Sequence, residues 1–311
     1  MRAVQAYLNI SNYSFCAYQQ DRDVDILVWK LSVIRNKKLG FTTVLYAGLE
    51  DKGYIEFHGF DKLYDEINYI DINETNLTKV SLVHFWAAFK FVAIEKELEQ
   101  PLPFFLVDTD LVFMDDTILE KIYSPVLVWA NTEPISNYPP LATLPIQDTF
   151  RYPRYFKLTT RPVNTAILKV DNRDILRDWL ALAWKFMIGN PLPDVGSTFG
   201  LMITAEQRFL PNVIRNKYNE EISFFCDLKI NNFGKEHFHI WGAKVFINHG
   251  FKFRNSWIKS LLTLIKQEDE TIYDDIIRNA PINIKYVVEH WDETNTISCL
   301  YQYFKKEEEE K

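Results

Sequence analysis

Along the first third of the chain the spacing of apolar positions alternates between two and three to four. Residues 2–10 read as a strand, and Val24, Leu27, Val28, Leu31 and Ile34 recur at helical spacing over 24–38, where Gly40 ends the run. Residues 42–47 read as a second strand, a brief helical piece follows near 61–65, and 67–72 form a third apolar run. Val83, Trp86, Ala87, Phe91, Ile94 and Leu98 then make one helical stripe closed by Pro101, which feeds strands at 104–107 and 126–130. Strands alternating with helices predict an α/β fold: a mostly parallel, Rossmann-like sheet flanked by helices, with a nucleotide-binding N-terminal layer.

The pattern breaks between 134 and 162, where Pro134, Pro139, Pro140, Pro145, Pro153 and Pro162 argue for a long loop or lid and place an internal boundary. Regular spacing resumes as a strand at 163–170 and helices at 173–188 and 200–216. Strand-like segments follow at 223–225 and 243–248, then a helical region at 256–280 and a charged tail at 305–311.

Composition narrows the function classes. The 311 residues are 47% hydrophobic and 15% aromatic, enough for a sizeable core and incompatible with a disordered or fibrous chain. A net charge of −7 argues against a duplex nucleic-acid binder. Cys16, Cys226 and Cys299 are too scattered for a disulfide framework or a zinc cluster, which suits a reducing compartment. No charged leader opens the sequence, and no run approaches the roughly 18 apolar residues of a membrane span. The expectation is therefore a soluble, cytoplasmic protein without an integral membrane segment. Trp29, Trp86, Trp179 and Trp184, all in helical patterns, read as core. With ten glycines and no Walker loop or Gly-x-Gly-x-x-Gly, phosphate must be held through a metal and side chains.

Asp108-Thr109-Asp110 follows four apolar residues at the carboxyl end of a predicted buried strand, the edge where open α/β sheets bind ligands. A bend there lets both carboxylates reach one hard cation, Mg²⁺ or Mn²⁺, that also takes phosphate oxygens. The alternative is a pair of loop acids, with Asp110 capping the next turn. The segment 104–113, Phe-Phe-Leu-Val-Asp-Thr-Asp-Leu-Val-Phe, resembles the DxD segment of GT-A glycosyltransferases, especially those related to family eight and to bacterial surface-polysaccharide enzymes. The helix around Trp86 to Lys90, the strand beginning Asn164-Thr165-Ala166, the Glu206-Gln207 pair and the run His239 to Lys244 occur in the order such enzymes use, over roughly residues 80–245.

That resemblance implies a metal-dependent transferase moving a sugar from a nucleotide-sugar donor, most commonly a UDP-sugar, to a saccharide, glycolipid or other hydroxyl acceptor. It implies Asp108, Asp110 and His239 as metal ligands, with His237 and His249 as rivals to His239. Lys244 becomes a diphosphate contact, although one residue rather than two separates it from Gly242, and Lys90 a basic donor-site residue. Asn164 would meet sugar hydroxyls and Glu206, beside Gln207, would face the donor sugar. Read from the residues alone, Asn164 is equally a plain strand-end amide, Glu206 a solvated helical turn and Lys90 an exposed lysine. The expected organisation is a transferase domain over 1–255, made of a nucleotide-binding half at 1–133, the lid at 134–162 and an acceptor-side half at 163–255. A helical extension at 256–304 and the tail at 305–311 complete it. Two rival functions stand beside this one: a haloacid-dehalogenase-like phosphatase using Asp108 and Asp110, and a non-catalytic binding protein on a transferase fold.

Overall fold

The structure, a computed structural model, describes residues 1–9, 22–131, 144, 146, 150–190, 199–227, 237–239, 251–280 and 282–290. In chain order its elements begin with β1 (Arg2–Tyr7), α1 (Arg22–Lys38), β2 (Thr42–Gly48), α2 (Lys52–Phe57), β3 (Glu66–Ile70), α3 (Phe89–Leu98), β4 (Phe104–Val107), β5 (Leu111–Phe113) and α4 (Thr117–Lys121). There follow β6 (Val126–Asn131), β7 (Val163–Val170), α5 (Arg173–Ile188), α6 (Phe199–Ile203), α7 (Phe209–Pro211), β8 (Ser223–Asp227), β9 (His237–His239), α8 (Phe251–Glu268), α9 (Glu270–Arg278) and α10 (Ile282–Glu289). They divide between two compact units.

The first unit is a seven-stranded sheet in the order β3-β2-β1-β4-β7-β6-β8 with helices on it, an α/β architecture as the alternating pattern predicts. β1 pairs in parallel with β2 and β4, β2 with β3, and β6 with β8; β7 alone runs against its neighbours β4 and β6. Because β7 is reversed, its first residues stand at the same edge as the last residues of β4. All four residues of β4 are buried, as a central strand requires. α3 and α5 supply the core with Phe91, Ile94, Trp179 and Phe186, and Phe150 and Phe209 join the same cluster. At the opposite edge Arg2 donates from Nε and Nη2 to the fully buried Glu97 at 2.9 and 2.8 Å, while Nη1 meets Glu66 at 2.8 Å.

The second unit holds α1, the antiparallel pair β5 and β9, and α8 to α10. Its core joins Leu27, Val28 and Leu31 of α1 to Trp257, Leu261 and Ile265 of α8, with Val112 and Phe238 from the two strands. Arg35 ties these parts together, donating to the carbonyls of Phe113 and Met114 and pairing with Glu268 at 2.9 Å.

Local chemistry sets the element ends. Gly40 sits at φ 81°, the left-handed conformation that stops α1, and Gly59 at φ 68° opens the short turn expected near 61–65. β3 ends at Ile70 rather than 72 because Asp71 turns the chain, accepting from Asn73 N at 2.9 Å. The helical region expected at 256–280 is two helices, divided where Asp269 caps α9 by accepting from Ile272 N at 3.0 Å.

Two expectations need correction. The stripe beginning at Val83 is helical only from Phe89; residues 82–88 form successive tight turns such as Ala88 N to Phe85 O, which bury Leu82, Phe85 and Ala88 at the three-residue spacing a helix also produces. Within those turns Trp86 is 37% exposed, so it is not core as Trp29, Trp179 and Trp184 are. The helix expected at 200–216 contains two wider π turns, Thr204–Arg208 and Asn212–Lys217, with Pro211, which has no N–H to donate, between them. The strand expected at 243–248, the tail at 305–311 and most of 134–149 lie outside the described residues. Among the described residues no helix is long and apolar enough to cross a membrane.

Candidate metal centre

Asp108 is held by its backbone. Its N–H donates to Ala166 O at 2.9 Å, extending the β4–β7 ladder by one residue, and its carbonyl accepts from Gln5 Nε2 at 3.2 Å. Gln5 is itself fixed by the hydroxyl of Tyr64, which donates to its carboxamide oxygen. The chain then turns through Thr109 and Asp110 before β5 begins. That turn removes the opposite-facing geometry that two carboxylates on one extended strand would have.

In the first unit the Asp108 carboxylate, 19% exposed, meets the Lys90 ammonium at 2.6 Å. Lys90 also donates to Glu206 Oε1 at 3.0 Å, and that same oxygen accepts from the Thr165 hydroxyl at 2.6 Å. Burial pulls the Lys90 pKa down, but Asp108 and Glu206 more than offset it, so the ammonium is held charged above the ordinary lysine value. Two carboxylates share one ammonium.

In the second unit β9 is three residues long and pairs Leu111 with His239 and Phe113 with His237. Alternation sends Phe238 into the helical core and both histidines to the other face. His239 Nε2 lies 3.1 Å from Asp110 Oδ1, and the ring is 3% exposed. Asp110 and His239 thus offer a carboxylate oxygen and an imidazole nitrogen to one ligand within the second unit, and Asp108 stands two residues before Asp110 along the chain. Two carboxylate oxygens and one imidazole nitrogen make a donor set that suits a divalent cation of the Mn²⁺ or Mg²⁺ kind.

The other expected residues divide clearly. Glu206 is not a solvated turn: it is 3% exposed within a π turn, where Thr204 Oγ1 bonds Gly200 O and Trp179 Nε1 donates to Ala205 O at 3.0 Å. Lys90 is not an exposed lysine either, being 19% exposed between two carboxylates. Asn164, half-buried, uses its side-chain oxygen on its own strand, accepting from Ala166 N at 2.9 Å. Gln207 is half-buried beside Glu206. His237 is buried two residues from His239 on the same strand face. Lys244 and His249 lie outside the described residues. Sequence reasoning missed Thr165, a buried hydroxyl directly after Asn164 in β7, and that polar pair ahead of the apolar run Ala166 to Leu168 is the signal that could have found it.

No known family profile matches the chain, and no curated protein does. Among solved structures, mouse xyloside xylosyltransferase 1 in its apo form is similar at a TM-score of 0.38 and 9% identity, over 72% of this chain and 85% of that one. A likeness this distant transfers nothing to the present site. The α/β assignment stands on the sheet described above.

Proposed function

We propose that the chain is a metal-dependent glycosyltransferase of the GT-A kind, moving a sugar from a nucleotide-sugar, a UDP-sugar in the first instance, to a hydroxyl of a saccharide or glycolipid acceptor. The observation that carries this reading is the Asp110–His239 pair at 3.1 Å, with Asp108 two residues earlier in the chain at the end of β4 and held by the ammonium of Lys90. In this reading the three side chains hold Mn²⁺ or Mg²⁺, whose bound charge would steady the diphosphate as it leaves. Lys90 serves two tasks, orienting Asp108 and fixing one oxygen of Glu206 together with Thr165. Glu206 then faces the positive charge that develops at the anomeric carbon, and Asn164 meets sugar hydroxyls. Lys244 contacts the diphosphate, residues 134–162 form a lid between a nucleotide-binding half and an acceptor-side half, and the enzyme works in the cytoplasm.

Titration calorimetry with UDP in the presence and absence of Mn²⁺ tests the proposal. Wild type should bind UDP only with the metal, while Asp108→Ala and Asp110→Ala should lose that binding and keep the fold by circular dichroism. Metal-dependent binding of wild-type strength in both variants would sink the reading, and hydrolysis of a generic phosphomonoester by the wild type would replace it with the phosphatase.

A further inference from the structure

A cleft of about 770 Å³ opens in the first unit between α3, α5 and the tight turns Ile72–Glu74 and Asn76–Lys79. Its walls follow from spacing. Val92, Glu95 and Glu99 on and just after α3, and Arg177, Leu180 and Trp184 on α5, recur three and four residues apart, so each helix presents one stripe to it. Asp71 and Thr75 fix the turns of the third wall, accepting from Asn73 N at 2.9 Å and Leu77 N at 3.2 Å. At about 100° per residue the α3 stripe lies on the side of that helix away from Lys90, so the cleft is separate from the Asp108 group.

Glu95 gives the cleft its chemistry. Trp184 Nε1 donates to Glu95 Oε1 at 2.6 Å, and among the described residues the other carboxylate oxygen has no hydrogen-bond partner. Burial, offset only in part by Trp184 and Lys96, raises the Glu95 pKa above the ordinary carboxylate value. A carboxylate oxygen accepts strong hydrogen bonds from hydroxyl groups, and the floor beside it, made by Val92, Leu180 and Trp184, is apolar. The remaining charges cancel: among the described residues three acidic and three basic side chains line the cleft, so no surplus is left for an ionic ligand. Each cation also has a partner already, Lys96 with Glu99 at 3.6 Å, Arg177 with Asp174 at 2.8 Å, and Lys79 donating to Asn76 at 3.1 Å. A phosphate or carboxylate ligand would have to displace those partners and approach Glu95.

An uncharged ligand with hydroxyls on its edges and C–H groups on its faces matches these features, and that is the chemistry of a pyranose. We propose that this cleft is a second saccharide-binding site, in which Glu95 accepts from ring hydroxyls and the apolar floor meets a ring face. Its volume falls in the range of small-ligand sites, roughly 300–1,000 Å³, which is room for a short oligosaccharide. That the bound saccharide is an acceptor or product chain held away from the metal centre rests on the transferase reading; that a saccharide binds the cleft does not.

The test is saturation-transfer NMR in EDTA, without nucleotide, on maltotriose, cellotriose, xylotriose and triacetylchitotriose, with trigalacturonate and spermine as charged controls. At least one neutral trisaccharide should bind wild type with a Kd below about 10 mM, and trigalacturonate at least about fivefold more weakly. Ala181→Trp, which fills the cleft from an exposed position on α5, should abolish that binding with the circular dichroism of wild type. Glu95→Gln, which keeps an acceptor for Trp184, should weaken it at least about threefold, whereas Asp110→Ala should bind as wild type does. Loss in Asp110→Ala with retention in Ala181→Trp would move the sugar to the metal centre and overturn the proposal. Failure of all four neutral sugars up to about 10 mM, equal binding of trigalacturonate, full affinity in Glu95→Gln, or capture of spermine alone would overturn it as well. If UDP with Mn²⁺ fails to bind while the trisaccharide result holds, the cleft stands as a saccharide site and only its assignment to an acceptor or product falls.

Discussion

Lys90 answers two carboxylates with one ammonium, which makes it the residue whose loss is felt twice. Replacing it with methionine strands the buried Glu206 and frees Asp108 of its partner, so Lys90→Met should lower unfolding free energy by about 3 kcal/mol, the order seen when one side of a buried pair is removed. Urea denaturation measures it, and a loss below about 0.5 kcal/mol would show the pair to be solvated. Glu206→Gln keeps an acceptor for Thr165 and Lys90 while removing the charge. UDP affinity should stay within a few-fold of wild type while transfer or donor hydrolysis falls at least about tenfold, roughly 1.4 kcal/mol of barrier. Normal turnover would leave Glu206 a packing residue. Asp108 and Asp110 could be singled out from the sequence because a four-residue apolar strand precedes them. The burial of Lys90 and Glu206 could not, because their partners come from α3, β4, β7 and a π turn, and no spacing rule links positions 90, 108, 165 and 206.

At the level of elements, caps and edge pairs decide where the regular structure stops. Asp269 ends one helix and starts the next, and Asp269→Ala should cost about 1 kcal/mol in chemical denaturation, with no cost expected if the cap is idle. The 256–280 region carries helical spacing on both sides of Asp269, which is why the sequence pattern runs through the break. Likewise the tight turns at 82–88 imitate a helix in spacing while leaving Trp86 exposed, and only the hydrogen bonds tell the two apart. Strand 104–107 was legible to the residue as a continuous apolar run ended by polar groups, and strand 163–170 was legible despite Asn164, Thr165 and Lys169 because its remaining residues are apolar. At the sheet edge, Arg2 holds the Glu66 carboxyl below its ordinary range. A depressed folded value contributes stability that is complete above the unfolded pKa and disappears as pH falls through the folded one. The difference in thermal midpoint between wild type and Glu66→Gln should thus be present at neutral pH, though small for a side chain 41% exposed, and should close in acid; a gap that widens in acid would refute it.

The scale of the whole chain is where sequence says least, since the order of strands in a sheet is not their order along the chain. Alternation gave the α/β class and the parallel majority but not the reversal of β7, which depends on the long connection between β6 and β7. That reversal also has a temporal consequence. The amide of Asp108 closes on Ala166, fifty-eight positions later, and Lys90 closes on Glu206 across 116 positions, so the candidate site is a set of long loops to be shut rather than a local motif. Loop closure of this length is slow compared with forming a helix or hairpin, and it returns nothing until the partner strand has docked. In refolding experiments, metal-dependent UDP binding should therefore recover with the slowest structural phase, after the helical signal has returned. Recovery of binding ahead of that phase would mean that the DxD turn takes up its ligands without β7.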